Sequence, residues 1–236
     1  MVGFVLIAGL IFAGKSMSVT VITSAVAMAI FFVAGVRLRY LAAIGFLGLA
    51  GIGFIAINSP ERVERFTTFR NPEVYKQTGG YQLWNGQLAL GSGGMKGLGF
   101  TNSRMKNAYL PEAHTDFILA VVGEELGYLS LLFVALGYML FLGLALYIAH
   151  HAKDTAGMII ASGVGFAITG HAFVNMGVIS GFGPTTGVTA PFLSYGGSSM
   201  ISALIAIGLL WSISRSSEKD FDEQNLKGSH ATHLGH

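Results

Sequence analysis

Long apolar runs separated by polar connections dominate the chain, and their lengths assign its elements. A helix needs roughly 20 predominantly apolar residues to cross the hydrocarbon of a bilayer. By that measure Val19 to Val36 and Leu41 to Ile57 are full spans, and about Leu126 to Ala149, Ala156 to about Ile179 and about Met200 to Ile213 are three more. Val2 to Gly14 is shorter. No basic residue precedes it and no clean small-residue cleavage site follows, so it reads as a shortened span with Lys15 snorkelling at its end, not as a secretory signal. The pattern predicts an all-α fold, a polytopic α-helical membrane protein of about five to six transmembrane helices. It divides the chain into N-terminal transmembrane helices over 1–57, a large extracytoplasmic loop over 58–117, C-terminal transmembrane helices over 118–215 with an outer loop at 180–198, and a polar cytoplasmic tail over 216–236, expected to be disordered.

Composition agrees with the pattern and narrows the function. Hydrophobic residues make up 52% of the chain, charged residues 11%, and mean hydropathy is +0.61, which excludes an ordinary soluble domain. Cysteine is absent, so disulfides and thiolate metal sites are excluded. A net charge of +2, with no basic stripe and no phosphate-binding glycine fingerprint, gives no footprint for nucleic acid. Arg37 and Arg39, Lys153 with His150 and His151, and Arg215 with Lys219 lie in short connections or at the tail, which assigns those places to the cytoplasm. The loop 58–117 and the loop 180–198 then share the outer face. Arg62, Arg65, Arg70, Lys76, Lys96, Arg104 and Lys106 in the first do not oppose this, because long loops cross largely regardless of charge.

The large loop has parts of different character. Arg62 to Pro72 alternates cations with aromatics, a pattern that suits either the phosphate-bearing boundary of a bilayer or a solvated linker. Tyr81 to Leu90 is apolar on one helical face and is expected along the membrane surface. Gly91 to Gly99 has five glycines in nine residues, which permits tight turns and a close approach of backbone to a ligand. Tyr109 to Gly127 then gathers four carboxylates and a histidine into nineteen residues. Such groups are expensive to desolvate, so they sit in water or are kept for a purpose. Thr115 or Asp116 can cap the helix that begins at Phe117. Equally, Asp116 with Glu112 and His114 at the membrane boundary, and Arg104 and Lys106 upstream, can supply a base beside phosphate-binding cations. Glu124 and Glu125 are expected to bond internal partners and pin their helix.

Gly181 to Ser199 is rich in hydroxyls and glycine between two spans. Irregular backbone at that depth must be buried by protein or line a wet cavity. His171 and Asn175, one turn apart, face the same way, toward either interhelical hydrogen bonds or a ligand. No histidine spacing supports a metal site, although Asp116 could ligate a lone divalent cation that bridges to substrate phosphates.

Together these strings resemble the SEDS proteins (shape, elongation, division and sporulation). The resemblance is carried by Tyr109-Leu-Pro-Glu-Ala-His-Thr-Asp-Phe117, Gly123-Glu-Glu-Leu-Gly127, Gly91-Ser-Gly-Gly94, Gly97-Leu-Gly99, Asn175 with Gly177, Pro184-Thr-Thr-Gly187 and Pro191-Phe-Leu-Ser-Tyr-Gly-Gly-Ser-Ser199. The Gly-Glu-Glu-Leu-Gly form and the spacing from Lys106 to Glu112 are closer to the division branch than to the elongation branch. The resemblance implies a lipid II polymerase of the bacterial inner membrane, working at the division septum. There an acceptor sugar hydroxyl attacks the anomeric carbon of the lipid-linked donor and undecaprenyl diphosphate leaves.

In that scheme Asp116 is the base. Arg104 and Lys106, or an added magnesium or manganese ion, meet the diphosphate. Glu112, His114, Asn175, Thr185, Ser194, Tyr195, Gly196, Gly197 and Ser198 bind substrate. The implied partners are lipid II, the growing glycan, membrane lipids, a class B penicillin-binding protein and other division proteins. A non-catalytic scaffold or a lipid II flippase is the alternative, and the few polar residues inside the spans disfavour a flippase.

The chain departs from the family in three ways. About the first four of ten family helices are missing, as in a truncated reading frame or partial chain. Lys15-Ser-Met-Ser-Val-Thr20 stands where the family has Gln-Pro-Asp-x-Gly-Thr, and Tyr81-Gln-Leu-Trp-Asn-Gly86 stands for Tyr-Gln-x-x-Gln-Ser.

Overall fold

The structure, a computed structural model, describes residues 17–103 and 115–233. Their regular elements are all helical: α1 (Met17–Val33), α2 (Leu38–Ile57), α3 (Pro60–Arg70), α4 (Tyr81–Gly93), α5 (Ile118–Leu126), α6 (Tyr128–His150), α7 (Thr155–Ile179) and α8 (Gly197–His233). Among the described residues, Tyr128–His150, Thr155–Ile179 and Gly197–Ser217 are long and apolar enough to cross a membrane, while Ser18–Val33 and Leu38–Gly48 are shorter apolar helices. The all-α, polytopic membrane character that the hydrophobic pattern predicts holds, and of the five full spans it predicts, three are long and apolar enough among the described residues.

Lipid is as apolar as leucine, so helices within it associate through small residues that let backbones approach. α7 follows that rule. It lies against α1, α6 and α8, and it buries Gly157, Ala161, Ser162, Gly165 and Ala172. A methyl group at Gly165 would stand 2.7 Å from the Ala145 Cβ of α6, which leaves no room for a larger side chain. Asp154 caps the N-terminus of α7 by accepting from the Gly157 N–H at 2.8 Å. α6, apolar all round, turns Phe133, Leu136, Leu140 and Leu144 outward as a lipid-facing helix does.

Two apolar clusters sit at opposite ends of α7. Ala145, Ala149, Ala161 and Leu210 join α6, α7 and α8 near the end assigned to the cytoplasm. At the other end Ala89, Leu90, Phe117, Leu119, Ala120, Val121, Ile179 and Ala190 join α4, α5, the last turn of α7 and the loop after it.

Three elements differ from the sequence reading. α5 is not the start of the next span, because the chain breaks at Gly127, whose φ of +83° only glycine adopts freely. α4 does not offer a free apolar face to the membrane surface, because α5 covers it. Gly86 lies under the Phe117 ring, and Gly93 lies so close to the Gly123 carbonyl that a methyl there would be 2.1 Å from its oxygen. Beyond Arg215, where the sequence gives a polar tail, the backbone is helical, and α8 continues to His233. An already nucleated helix extends without a new nucleation step, and Glu218, Lys219, Glu223, Gln224 and Lys227 are good helix formers.

Candidate functional site

Helix α5 is placed by its two ends. At its C-terminus the last carbonyls of a helix lack intrahelical partners. The glycine-rich segment supplies them: Leu98 and Gly99 donate their N–H groups to the carbonyls of Glu124 and Glu125 at 2.9 and 3.0 Å, and Tyr128 donates to Gly94 at 2.9 Å. The glycines of that run therefore let backbone meet backbone around the end of α5. Glu124, fully buried, accepts hydrogen bonds from Ser103 Oγ at 2.5 Å and Ser92 Oγ at 3.4 Å, which ties α5 to α4 and to the segment after the glycines. Glu125 is buried too, but its Oε1 has no hydrogen-bond partner among the described residues. Pinning of the helix falls to the Glu124 carboxylate and to the backbone of Glu125.

At the N-terminus of α5 the cap residue is Phe117, with no side-chain capping bond, so Asp116 does not serve as the N-cap. Phe117 is instead an anchor, 3% exposed within the outer cluster. Burying such a ring contributes roughly 1.5–3 kcal/mol, which fixes its chain neighbour. Asp116 is half-buried. Asn175 of α7 donates through its Nδ2 to the Asp116 carbonyl at 2.7 Å and to the Val188 carbonyl at 2.6 Å. The second bond brings the loop 180–196 over the start of α5. Gly187, at φ +65°, faces the aspartate side chain, and a Cβ on it would stand 3.6 Å from Asp116 Oδ2.

That loop is strapped to the spans at further points. Tyr138 of α6 donates its hydroxyl to the Pro191 carbonyl. Phe192 has φ +67°, a sparse region for a bulky residue, and its ring meets Phe141 edge-on at 6.3 Å between centroids. Ser194, buried, accepts from the Ala190 N–H at 2.8 Å. Beyond the strap a cleft of about 650 Å³ is lined by Ile118, Phe192, Leu193, Ser194, Tyr195, Gly196, Gly197 and Met200. A second cleft of about 560 Å³, lined by Gln87, Tyr128 and Ser180 among others, holds none of the predicted site residues.

Of the residues singled out from the sequence, Asp116 and Asn175 meet directly, while Ser194, Tyr195, Gly196 and Gly197 share the larger cleft. Thr185 is half-buried in the strap, and Ser198 is exposed in the first turn of α8. Arg104, Lys106, Glu112 and His114 lie outside the described residues. His171 does not join Asn175: its Nδ1 lies 2.7 Å from the Ala167 carbonyl of its own helix. Among the described residues no group of three or more metal-ligating side chains comes together. Sequence reasoning missed Tyr138 and Phe192. The signal for Tyr138 was a hydroxyl in mid-span, which must find a partner in lipid.

An aspartate half-shielded by a strap, two residues before the Ile118 that lines a largely apolar cleft, has the chemistry of a general base. The chain is similar to known proteins over most of its length. The family model FTSW_RODA_SPOVE, described as cell cycle protein, matches residues 1–219. The probable peptidoglycan glycosyltransferase FtsW of Geobacter sp. (strain M18) is 40% identical over 190 residues, 80% of this chain and 52% of that protein. Stage V sporulation protein E of Bacillus subtilis (strain 168) is 39% identical over 184 residues, 78% of this chain and 50% of that protein. A solved structure described as "Structural coordination of polymerization and crosslinking by a peptidoglycan synthase complex" superposes with a TM-score of 0.73 at 25% identity, over 91% of this chain and 60% of that one. The chain spans about half the length of the curated relatives it matches.

Proposed function

The chain belongs to the FTSW_RODA_SPOVE family of cell cycle proteins, and from that premise we propose that it carries the catalytic end of a lipid II polymerase. The observation that supports the reading is the fixing of the Asp116 backbone by Asn175 under the strap, with Ile118, two residues on, lining the apolar cleft. Asp116 takes the proton of the acceptor hydroxyl as that oxygen attacks the anomeric carbon, and the bond from that carbon to the diphosphate oxygen breaks. Undecaprenyl diphosphate leaves with the bonding pair. Arg104 and Lys106 meet its negative charge; were a magnesium or manganese ion bound, Asp116 would be the residue to hold it, and the ion would supply further positive charge for the leaving group. Glu112, His114, Thr185, Tyr195, Ser198 and the backbone of Gly196 and Gly197 orient the sugars, and Ser194 shapes the turn that carries them.

The membrane is the bacterial inner membrane, with the division septum as the working place. A class B penicillin-binding protein and other division proteins are the partners. The similarity to proteins described as FtsW and stage V sporulation protein E, and to a solved structure of a peptidoglycan synthase complex, supports this assignment.

The test is glycan polymerisation by the full-length protein in proteoliposomes with purified lipid II. Asp116→Asn is expected to reduce the rate by at least about 10²-fold, the range that general-base catalysis contributes, with unchanged membrane insertion and partner binding. Wild-type polymerisation by Asp116→Asn would rule the base assignment out. Unchanged partner binding by a wild type with no polymerisation in either divalent ion would favour the scaffold.

A further inference from the structure

We propose that Asn175 is a positioning residue that sets Asp116 and the outer strap as one unit, a role that rests on Asp116 being the base. One nitrogen of a single side chain, 2% exposed, holds two carbonyls from segments 72 residues apart in the chain, those of Asp116 and Val188. Two carbonyls converging on one point need a donor with two hydrogens. An asparagine amide has two on one nitrogen, a serine or threonine hydroxyl has one, and lysine would bring a charge into an apolar site. The other end of the same amide marks the position further. Among the described residues Asn175 Oδ1 is buried with no hydrogen-bond partner, a penalty that a residue kept for packing alone would avoid by being apolar.

The two carbonyls matter because of what stands next to them. The Asp116 carbonyl belongs to the residue whose carboxylate is the base. The Val188 carbonyl is one residue from Gly187, where an added Cβ would stand 3.6 Å from Asp116 Oδ2. Pulling both onto α7 sets the base and the backbone above it in a single step, from a helix that is itself wedged between α1, α6 and α8. Asn175 has both amide hydrogens engaged by protein, so it acts on the reaction through Asp116 and not by donating to the sugars.

The experiment uses the full-length protein in nanodiscs and reads amide hydrogen exchange together with lipid II polymerisation kinetics, for Asn175→Ala and Asn175→Ser. Asn175→Ser keeps one donor and serves if Asn175→Ala does not fold. The expected result is faster exchange in the stretches 115–120 and 186–190 together, with protection of α6 and α7 unchanged. With it, kcat should fall about 10²-fold in Asn175→Ala, the loss expected from misplacing a reacting group by an ångström, and less in Asn175→Ser, while KM for lipid II stays within about twofold. A rise in KM at unchanged kcat would overturn the proposal, since Asn175 would then be touching substrate. Unchanged exchange in both stretches would overturn it as well, because the tie would carry no weight. If the wild-type protein does not polymerise, the polymerase reading fails on its own, and the exchange data still decide whether Asn175 couples the two segments.

Discussion

Two residues show how local chemistry fixes the neighbourhood of Asp116. Glu124 is a carboxylate with no exposure at all, and it holds Ser103 and Ser92 by charge-assisted hydrogen bonds. Hydrogen bonds to charged groups contribute roughly 1.5–3 kcal/mol each way of cutting them. Glu124→Gln should therefore destabilise the protein by about that amount, measured as the shift in chemical unfolding in detergent. Ser103→Ala on top of it should add little, because the two partners share one bond; full additivity would show the bond to be idle. Gly187 is the second case. At φ +65° a side chain is strained by about 1–2 kcal/mol. The added methyl at 3.6 Å from Asp116 Oδ2 clears the carboxylate, so strain and not a clash is what Gly187→Ala introduces. The strap should relax away from Asp116 and turnover should fall several-fold, whereas Gly187→Asn, whose side chain tolerates that backbone better, should lose less. Equal loss in both variants would mean that the side chain obstructs the site.

At the scale of elements, the short pair α4 and α5 matters more than its size suggests. The helices approach through Gly86, Gly93 and Gly123, and the methyl that alanine would add at Gly93 has nowhere to go. Gly93→Ala should force the pair apart and lower stability by several times the effect of Gly137→Ala. Gly137, on the lipid-facing helix α6, has nothing within 4 Å of an added Cβ, and the change there should be neutral or slightly stabilising. Protease resistance of the loop 58–117 in intact vesicles would compare the two. These glycines also explain what the sequence could not convey. A glycine run with no side chains is compatible with a ligand-binding turn or with backbone packing on another helix, and only the partner decides. Hydrophobic periodicity has the same blind spot: it marks the apolar face of Tyr81 to Leu90 without saying whether lipid or α5 covers it. The long spans were legible because apolar length has one reading in a membrane, and Asp116 drew attention because a carboxylate cluster is rare in such a chain. Asn175 stood out as polar in mid-span, but its two acceptors, 59 residues before it and 13 after it, belong to tertiary structure alone.

Across the whole molecule the spans and the outer site are linked by one helix. α7 contributes Gly165 to the tightest contact with α6 and, ten residues further on, Asn175 to the site, a separation of about 15 Å at 1.5 Å per residue. Packing on the lipid side of the molecule and geometry at Asp116 are therefore mechanically in series. Gly165→Val should push α6 and α7 apart, since even a methyl would lie 2.7 Å from Ala145. Overpacking of this kind costs about 1–3 kcal/mol. Because Tyr138 and Phe141 of α6 hold Pro191 and Phe192 of the strap, the displacement should reach the site as well. Gly165→Val is expected to lower both the unfolding midpoint and the polymerisation rate, in contrast to Gly187→Ala, which should lower the rate far more than the midpoint. Restoring volume by Ala145→Gly in the Gly165→Val background should recover both properties together. Recovery of stability without recovery of rate would show that the site takes its geometry from the strap and the α4–α5 pair, independently of how α6 and α7 are packed.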